Sequence, residues 1–190
     1  MGDIGLMKAC IIDSTASELV LVAINGDVVN YHVGVAGARR HTGEILVALD
    51  NLLSKTDMEA RELEYVGVVV GPGSFTGIRI GVSTANAMAY ASGAKLVELT
   101  ELECLLINHE SALGLIDCKH DNYYALYKEG ENMEYKAVNV VETQPYEGNR
   151  VYFTSPDPDN LYKCFIKKVT SGQFSDIAKP YYMKKSSAEA

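Results

Sequence analysis

The chain has 190 residues, 47% of them hydrophobic, with a net charge of −8, a pI near 5.0 and a mean hydropathy near zero. It can bury a substantial core as one large domain or two small ones, whereas direct binding of a nucleic acid would need a basic face that this composition argues against. No apolar run spans a bilayer, and Cys10, Cys104, Cys118 and Cys164 are scattered without a CxxC pair, so the expectation is a cytoplasmic protein with reduced, mostly buried thiols.

Lys8 to Asp13 reads as a strand ending at an acid, and Ser14 to Ser17 as a turn. Asp13 either accepts hydrogen bonds from that turn or faces the metal ion of a nucleotide. Glu18 to Ile24 is a second strand, Asn25-Gly26 a hairpin signal and Val28 to Val35 a third strand, so three antiparallel strands open the chain.

Arg39-Arg40-His41-Thr42 precedes a helix expected from Gly43 to Ser54. Ile45, Leu49, Leu52 and Leu53 form one stripe at helical spacing, and Leu46 and Val47 extend the apolar surface to a second side. That is more apolar surface than one sheet contact needs. His41 has no second histidine at helical ligand spacing, and His32, His109 and His120 are dispersed, so no metal is expected.

Glu62 to Tyr65 leads into a β-branched run, Val66 to Val70, of the kind that is buried on both faces, completing a right-handed crossover. The run ends in Gly71-Pro72-Gly73-Ser74-Phe75-Thr76-Gly77-Ile78-Arg79-Ile80-Gly81-Val82 and continues to Tyr90. Glycines flanking Pro72 allow a sharp turn, Ser74 or Thr76 can cap the helix that follows, and such a helix start suits a phosphate or carboxylate. The Walker and dinucleotide patterns both fail here, because no lysine occurs between Lys55 and Lys95 and Thr76 stands where a third glycine would be needed. Gly77, Gly81, Ala85 and Ala89 recur in one row that permits close packing.

Lys95 to Leu99 is another short strand, and Thr100 with Glu103 forms a capping box for a helix reaching Asn108. Leu113 to Asp117 then repeats the first strand. Without gaps, Ile12-Asp13 falls on Ile116-Asp117 and Gly26-Asp27 on Gly130-Glu131 at one constant offset, which suggests two related halves. In the second copy Cys118-Lys119-His120-Asp121 replaces the small turn. Met133 to Val141 and Arg150 to Thr154 are strands, Asn160 to Ile166 is a helix after Pro156-Asp157-Pro158-Asp159, and a short helical turn is expected at Phe174 to Ile177. Lys167-Lys168 and Lys184-Lys185 read as solvated surface, and Ser186 to Ala190 as a disordered tail. The division is 1–99 and 100–190, the second part being the thinner.

The Gly71 to Gly81 stretch, with Ile12-Asp13-Ser14-Thr15, Arg40-His41, Ile116-Asp117, Tyr124 and Pro180-Tyr181-Tyr182-Met183-Lys184, resembles the TsaB (YeaZ) family of bacterial tRNA threonylcarbamoyladenosine biosynthesis proteins, historically filed with the M22 glycoproteases. The resemblance covers nearly the whole chain. It implies an α/β, actin-like and heat-shock-ATPase-like (ASKHA) fold of two related lobes, here with the second reduced. It also implies a non-catalytic scaffold that pairs with the transferase paralogue TsaD and the ATPase TsaE and meets tRNA only through them.

Under that resemblance the partner interface is expected on Ile45, Leu46, Leu49, Leu53, Gly77, Ile78, Gly81 and Ala85. A weak ATP or ADP contact at the partner interface would draw on Asp13, Thr15, Gly71, Gly73, Ser74, Thr76, Asp117 and Lys119. No tightly bound cofactor is expected, and the isolated chain is left free to form a homodimer. Family members usually carry Asp-Thr-Ser or Asp-Thr-Ala in the first turn and Asp-Ala-Arg in the second, where this chain has Asp13-Ser14-Thr15 and Asp117-Cys118-Lys119; lysine lacks the planar fork of arginine. Two other readings, an M22 metallopeptidase and an ATPase, would need a ligand triad or glycines beside both aspartates, and neither pattern is found.

Overall fold

In the computed structural model, residues 7–35 and 41–183 are described; Arg39, Arg40, Lys184, Lys185 and the Ser186 to Ala190 tail lie outside them. Two sheets carry the chain. The first contains β1 (Lys8–Asp13), β2 (Glu18–Asn25), β3 (Val28–Val35), β4 (Tyr65–Val69) and β5 (Lys95–Leu99) in the order β3-β2-β1-β4-β5. β1 pairs antiparallel with β2 and parallel with β4, as the expected crossover requires. The second sheet contains β6 (Ser111–Asp117), β7 (Asn122–Glu129), β8 (Asn132–Asn139) and β9 (Arg150–Tyr152) in the order β8-β7-β6-β9.

The repeat is visible in these orders, because β6, β7, β8 and β9 copy β1, β2, β3 and β4. Gly26 and Gly130, matched by the sequence offset, open both hairpin turns with φ of 60° and 58°. The two-residue turn is Gly26-Asp27 rather than the expected Asn25-Gly26, since Asn25 still pairs with Val28 across the ladder. A positive φ at its first central position is the type II′ arrangement, which suits strand twist.

Helix α1 (His41–Lys55) and helix α2 (Phe75–Ser92) cover one face of the first sheet. Ile45, Leu49, Leu52 and Leu53 of α1 meet Cys10, Ile12, Leu19 and Leu21 there, together with Ile78, Val82 and Ala85 of α2. The opposite face, with Ala9, Ile11, Val20, Val22 and Val97, is covered by Leu161, Cys164 and Phe165 of α4 (Pro158–Thr170). Gly67 in β4 exists for this contact, because an added Cβ would stand 2.8 Å from the Phe165 ring. α4 starts two residues before its expected bound, with Asp157 accepting from Asp159 N at 2.9 Å and Asn160 N at 3.3 Å and proline in the first turn.

α4 follows the second sheet in sequence but completes the first, so the helices do not respect a division at residue 99. Between the sheets lies α3 (Glu101–Leu105), shorter than expected, with the Thr100–Glu103 capping box formed. Its Leu102, with Leu106 beyond it, packs on Ala112, Ile116 and Leu126 of the second sheet. In place of a copy of α1, the second half has a 3-10 segment, Val141–Asn149.

No helix forms at Phe174 to Ile177. Instead Ser175 bridges Leu96 at the β5 edge, its N–H donating to Leu96 O at 3.0 Å and its hydroxyl to Glu98 at 3.0 Å. The strap runs on: Ala178 and Asn86 exchange two bonds of 2.9 Å, and Tyr181 N donates to Val70 O at 2.8 Å. An unpaired sheet edge with a nearby carboxylate binds extended chain better than one helical turn can hold itself.

Leu49 is 2% exposed and Leu46 58% exposed on the same helix. Leu49→Ala is expected to cost about 2–5 kcal/mol, and Leu46→Ala within about 0.5 kcal/mol, as measured by urea denaturation of the isolated chain.

Candidate functional site

The glycine turn and the first turn interlock. Ser74 caps α2 by accepting from Gly77 N at 3.2 Å, while Ser74 N donates to Thr15 O at 2.6 Å. A Cβ on Gly77 would strike Ser14 O, one on Gly73 would strike Thr15 O, and one on Gly81 would lie 2.5 Å from Ser14 Oγ. Ser14 Oγ donates to Gly77 O at 2.8 Å. Gly71 has φ of 127° and faces Tyr181 O of the strap, 2.6 Å from where a Cβ would be.

This placement narrows one expectation and corrects another. At the start of α2, suited in principle to an anion, Ser74 N is bonded to Thr15 O and Gly71 is closed by the strap, whereas Gly73, Ser74 and Thr76 are exposed. The row Gly77, Ile78, Gly81 and Ala85 is buried against this chain's own β1 turn and sheet, not presented outward. Ile45, Leu49 and Leu53 are buried likewise, so Leu46 alone of the eight proposed interface residues stays at the surface. The error lay in assigning the stripe that faces the sheet to a partner; the opposite side of the same helices is the one left over.

That side is a groove of about 460 Å³ between α1 and α2, lined by Leu46, Thr84, Ala87, Met88 and Ala91, with Arg61 at its rim. Leu46 and Val47 are 58% and 61% exposed, and Tyr90 is 93% exposed. The surplus apolar surface read from α1 is real, and small residues of α2 floor it.

The turn aspartates differ sharply. Asp13 is fully buried, its Oδ1 accepting from Thr15 N at 2.9 Å and Thr15 Oγ1 at 2.8 Å, so it holds its own turn. Thr15 Oγ1 also lies 3.1 Å from Glu101 Oε2, a buried acid that nothing in the local sequence pattern singles out. Burial pushes the Asp13 carboxyl up, and burial followed by the neighbouring Asp13 pushes Glu101 well up. Asp117 is exposed and accepts from Lys119 N at 2.7 Å. Lys119, His120 and Asp121 all have positive φ, held by Asn122, whose amide donates to His120 O at 2.7 Å.

The thiols fit structural use: burial pushes Cys10 up to about 12, and a hydrogen bond with Cys164, then burial, pushes Cys104 well up. Among the described residues, no group of three His, Cys, Asp or Glu side chains is placed to hold a metal, and no helix is long and apolar enough to cross a membrane. Lys167 meets Glu131 at 3.3 Å at the surface, but Lys168 is drawn into a half-buried bridge with Glu103 at 2.8 Å rather than solvated.

Residues 30–157, more than half of the chain, match the family model described as TsaD, tRNA N6-adenosine threonylcarbamoyltransferase. The chain is similar to the tRNA threonylcarbamoyladenosine biosynthesis protein TsaB of Bacillus subtilis, 30% identical over 110 residues, covering 58% of this chain and 48% of that protein. It is similar also to TsaB of Escherichia coli, 29% identical over 134 residues, covering 66% of this chain and 57% of that protein. The chain thus spans about half the length of these curated relatives. A solved structure from Pseudomonas aeruginosa, described as similar to the peptidase YeaZ, superposes with a TM-score of 0.79 at 16% identity, covering 94% of this chain and all of that one. The fold is of the actin-like, ASKHA type.

Replacing Gly71 by alanine sets a Cβ against Tyr181 O at a positive φ. Gly71→Ala is expected to cost about 2 kcal/mol or more and to make residues 175–183 cleavable, read by limited proteolysis with mass spectrometry. Unchanged resistance to cleavage would mean that the strap does not depend on this contact.

Proposed function

This chain belongs to the tRNA N6-adenosine threonylcarbamoyltransferase (TsaD) family and, within it, to the TsaB (YeaZ) branch, and from that premise we propose that it is a non-catalytic subunit supporting the TsaD paralogue in threonylcarbamoylation of the adenosine beside the tRNA anticodon. The observation that carries this reading is the apolar groove between α1 and α2, where Leu46 is more than half exposed while the inner sides of both helices are buried. An apolar helix face of that kind suits a partner that lays its own helices into the groove. TsaD is that partner, TsaE joins the assembly, and self-association of the isolated chain uses the same face.

With a net charge of −8 the chain leaves tRNA to its partners, working beside them in the cytoplasm. Any ATP or ADP sits at the partner interface and draws on the exposed Asp117, Lys119, Ser74 and Thr76 rather than on the buried Asp13 and Gly71. Calorimetry with ATP on the isolated chain is expected to give no tight binding.

The decisive test pairs Leu46→Asp with Ala87→Asp, both exposed on the groove. Burying a leucine side chain is worth about 1.5–3 kcal/mol, so the double variant is expected to bind TsaD from the same cell at least about 100-fold more weakly, with the thermal unfolding of the lone chain unchanged. An assay for modified tRNA with this chain omitted is expected to lose most of the product. Undiminished association of the double variant would remove the groove from the interface.

A further inference from the structure

Two acids are buried together where the first turn meets α3. Asp13 ends β1 with no exposed surface, and Glu101 begins α3 with 3% exposed. The Thr15 hydroxyl stands between the two carboxyls, 2.8 Å from Asp13 Oδ1 and 3.1 Å from Glu101 Oε2. A hydroxyl has a single hydrogen and cannot donate fully to both. The second Asp13 oxygen, Oδ2, is buried and has no hydrogen-bond partner.

No cation compensates the pair: among the described residues, neither carboxyl forms an ion pair. Facing it are Thr15 from the turn, Cys104 on α3 and Cys164 on α4. Two ionised carboxylates here would repel, would be desolvated without a counter-charge and would leave Oδ2 without a donor. One proton relieves the first two costs, because a protonated Glu101 donates to Thr15 Oγ1 while the hydroxyl's own hydrogen goes to Asp13 Oδ1. The main-chain bond from Glu101 N to Gly71 O, 3.1 Å, ties the same point to the glycine turn.

We propose that Asp13 and Glu101 share one proton, that this proton locks the first turn onto the start of α3, and that the fold therefore weakens as the pH rises. The lock joins the first sheet to the helix that carries the second sheet, and it is independent of the outer groove. An unfolded chain has released both protons once the pH passes the ordinary carboxylate range of about 4, whereas the folded chain retains one. Above that range the native state binds more protons than the unfolded state, so stability falls with rising pH until the pair gives up its last proton.

Urea unfolding of the whole chain from about pH 5 to about pH 9 tests this. In the wild type the unfolding constant is expected to rise by up to tenfold per pH unit. Glu101→Gln stays neutral and can donate to Thr15 Oγ1 at every pH, so this part of the slope should vanish. A protonated-carboxyl infrared band at neutral pH, present in the wild type and lost in Glu101→Gln, is the second readout. An unaltered slope in the variant, or no such band in the wild type, overturns the proposal. If the variant does not fold, the wild type decides alone: band and slope together support the shared proton, and the absence of either overturns it.

Discussion

Main chain meets main chain where the Ser14-Thr15 turn lies on the start of α2, and the rest of the structure is positioned from that contact. The Ser14 and Thr15 carbonyls occupy the volumes that side chains would fill at Gly77 and Gly73. Ser74 N and the Ser14 hydroxyl close the contact with bonds of 2.6 Å and 2.8 Å. Each such bond is worth about 1 kcal/mol net, but leaving one unmade in a buried place costs more. β1 is the middle strand of its sheet, so fixing α2 to its end fixes the angle of α2 across β4. α1, packed beside α2 on the same face, is placed by the same contact, and so is the groove on their outer sides.

The contact also decides what the helix start is able to do. An N-terminal turn after a glycine loop offers unpaired N–H groups to an anion. Here Ser74 N is spent on Thr15 O and Gly77 N on the Ser74 side chain. The glycines thus serve packing, and the turn's aspartate, shut off from solvent, faces the start of α3. Spending these two donors and burying the acid are one event seen from two sides.

What could be read from the sequence followed periodicity and turn chemistry. The three-strand opening, the crossover to β4, the capping box at Thr100 and the repeated hairpin all rest on local pattern, and the structure carries each of them. Gly26 and Gly130 were legible as equivalent because positive φ restricts the residue choice. The faces of α1 and α2 were harder: a pattern shows that two sides of a helix are apolar but not which side the sheet takes. Glu101 was unreadable as half of an acid pair, since its partner lies far away in the chain and only the fold brings them together. The strap at Ser175 departs from the expected helical turn because the edge of β5 that captures it is likewise a tertiary feature.

The reduced second half explains the remaining departures. Where the first half places two helices on one face, the second has a 3-10 segment, and among the described residues its sheet has four strands rather than five. α4 is thereby released from its own sheet and covers the bare face of the first, where Phe165 is wholly buried in the space that Gly67 leaves. Leu102 and Leu106 of the α3 region fill the corresponding place on the second sheet. The region between the sheets is consequently occupied by helices, the acid pair and the Lys168–Glu103 bridge. With the interior committed in this way, part of the apolar surface left over lies on the outer sides of α1 and α2, where Leu46, Val47 and Tyr90 are more than half exposed.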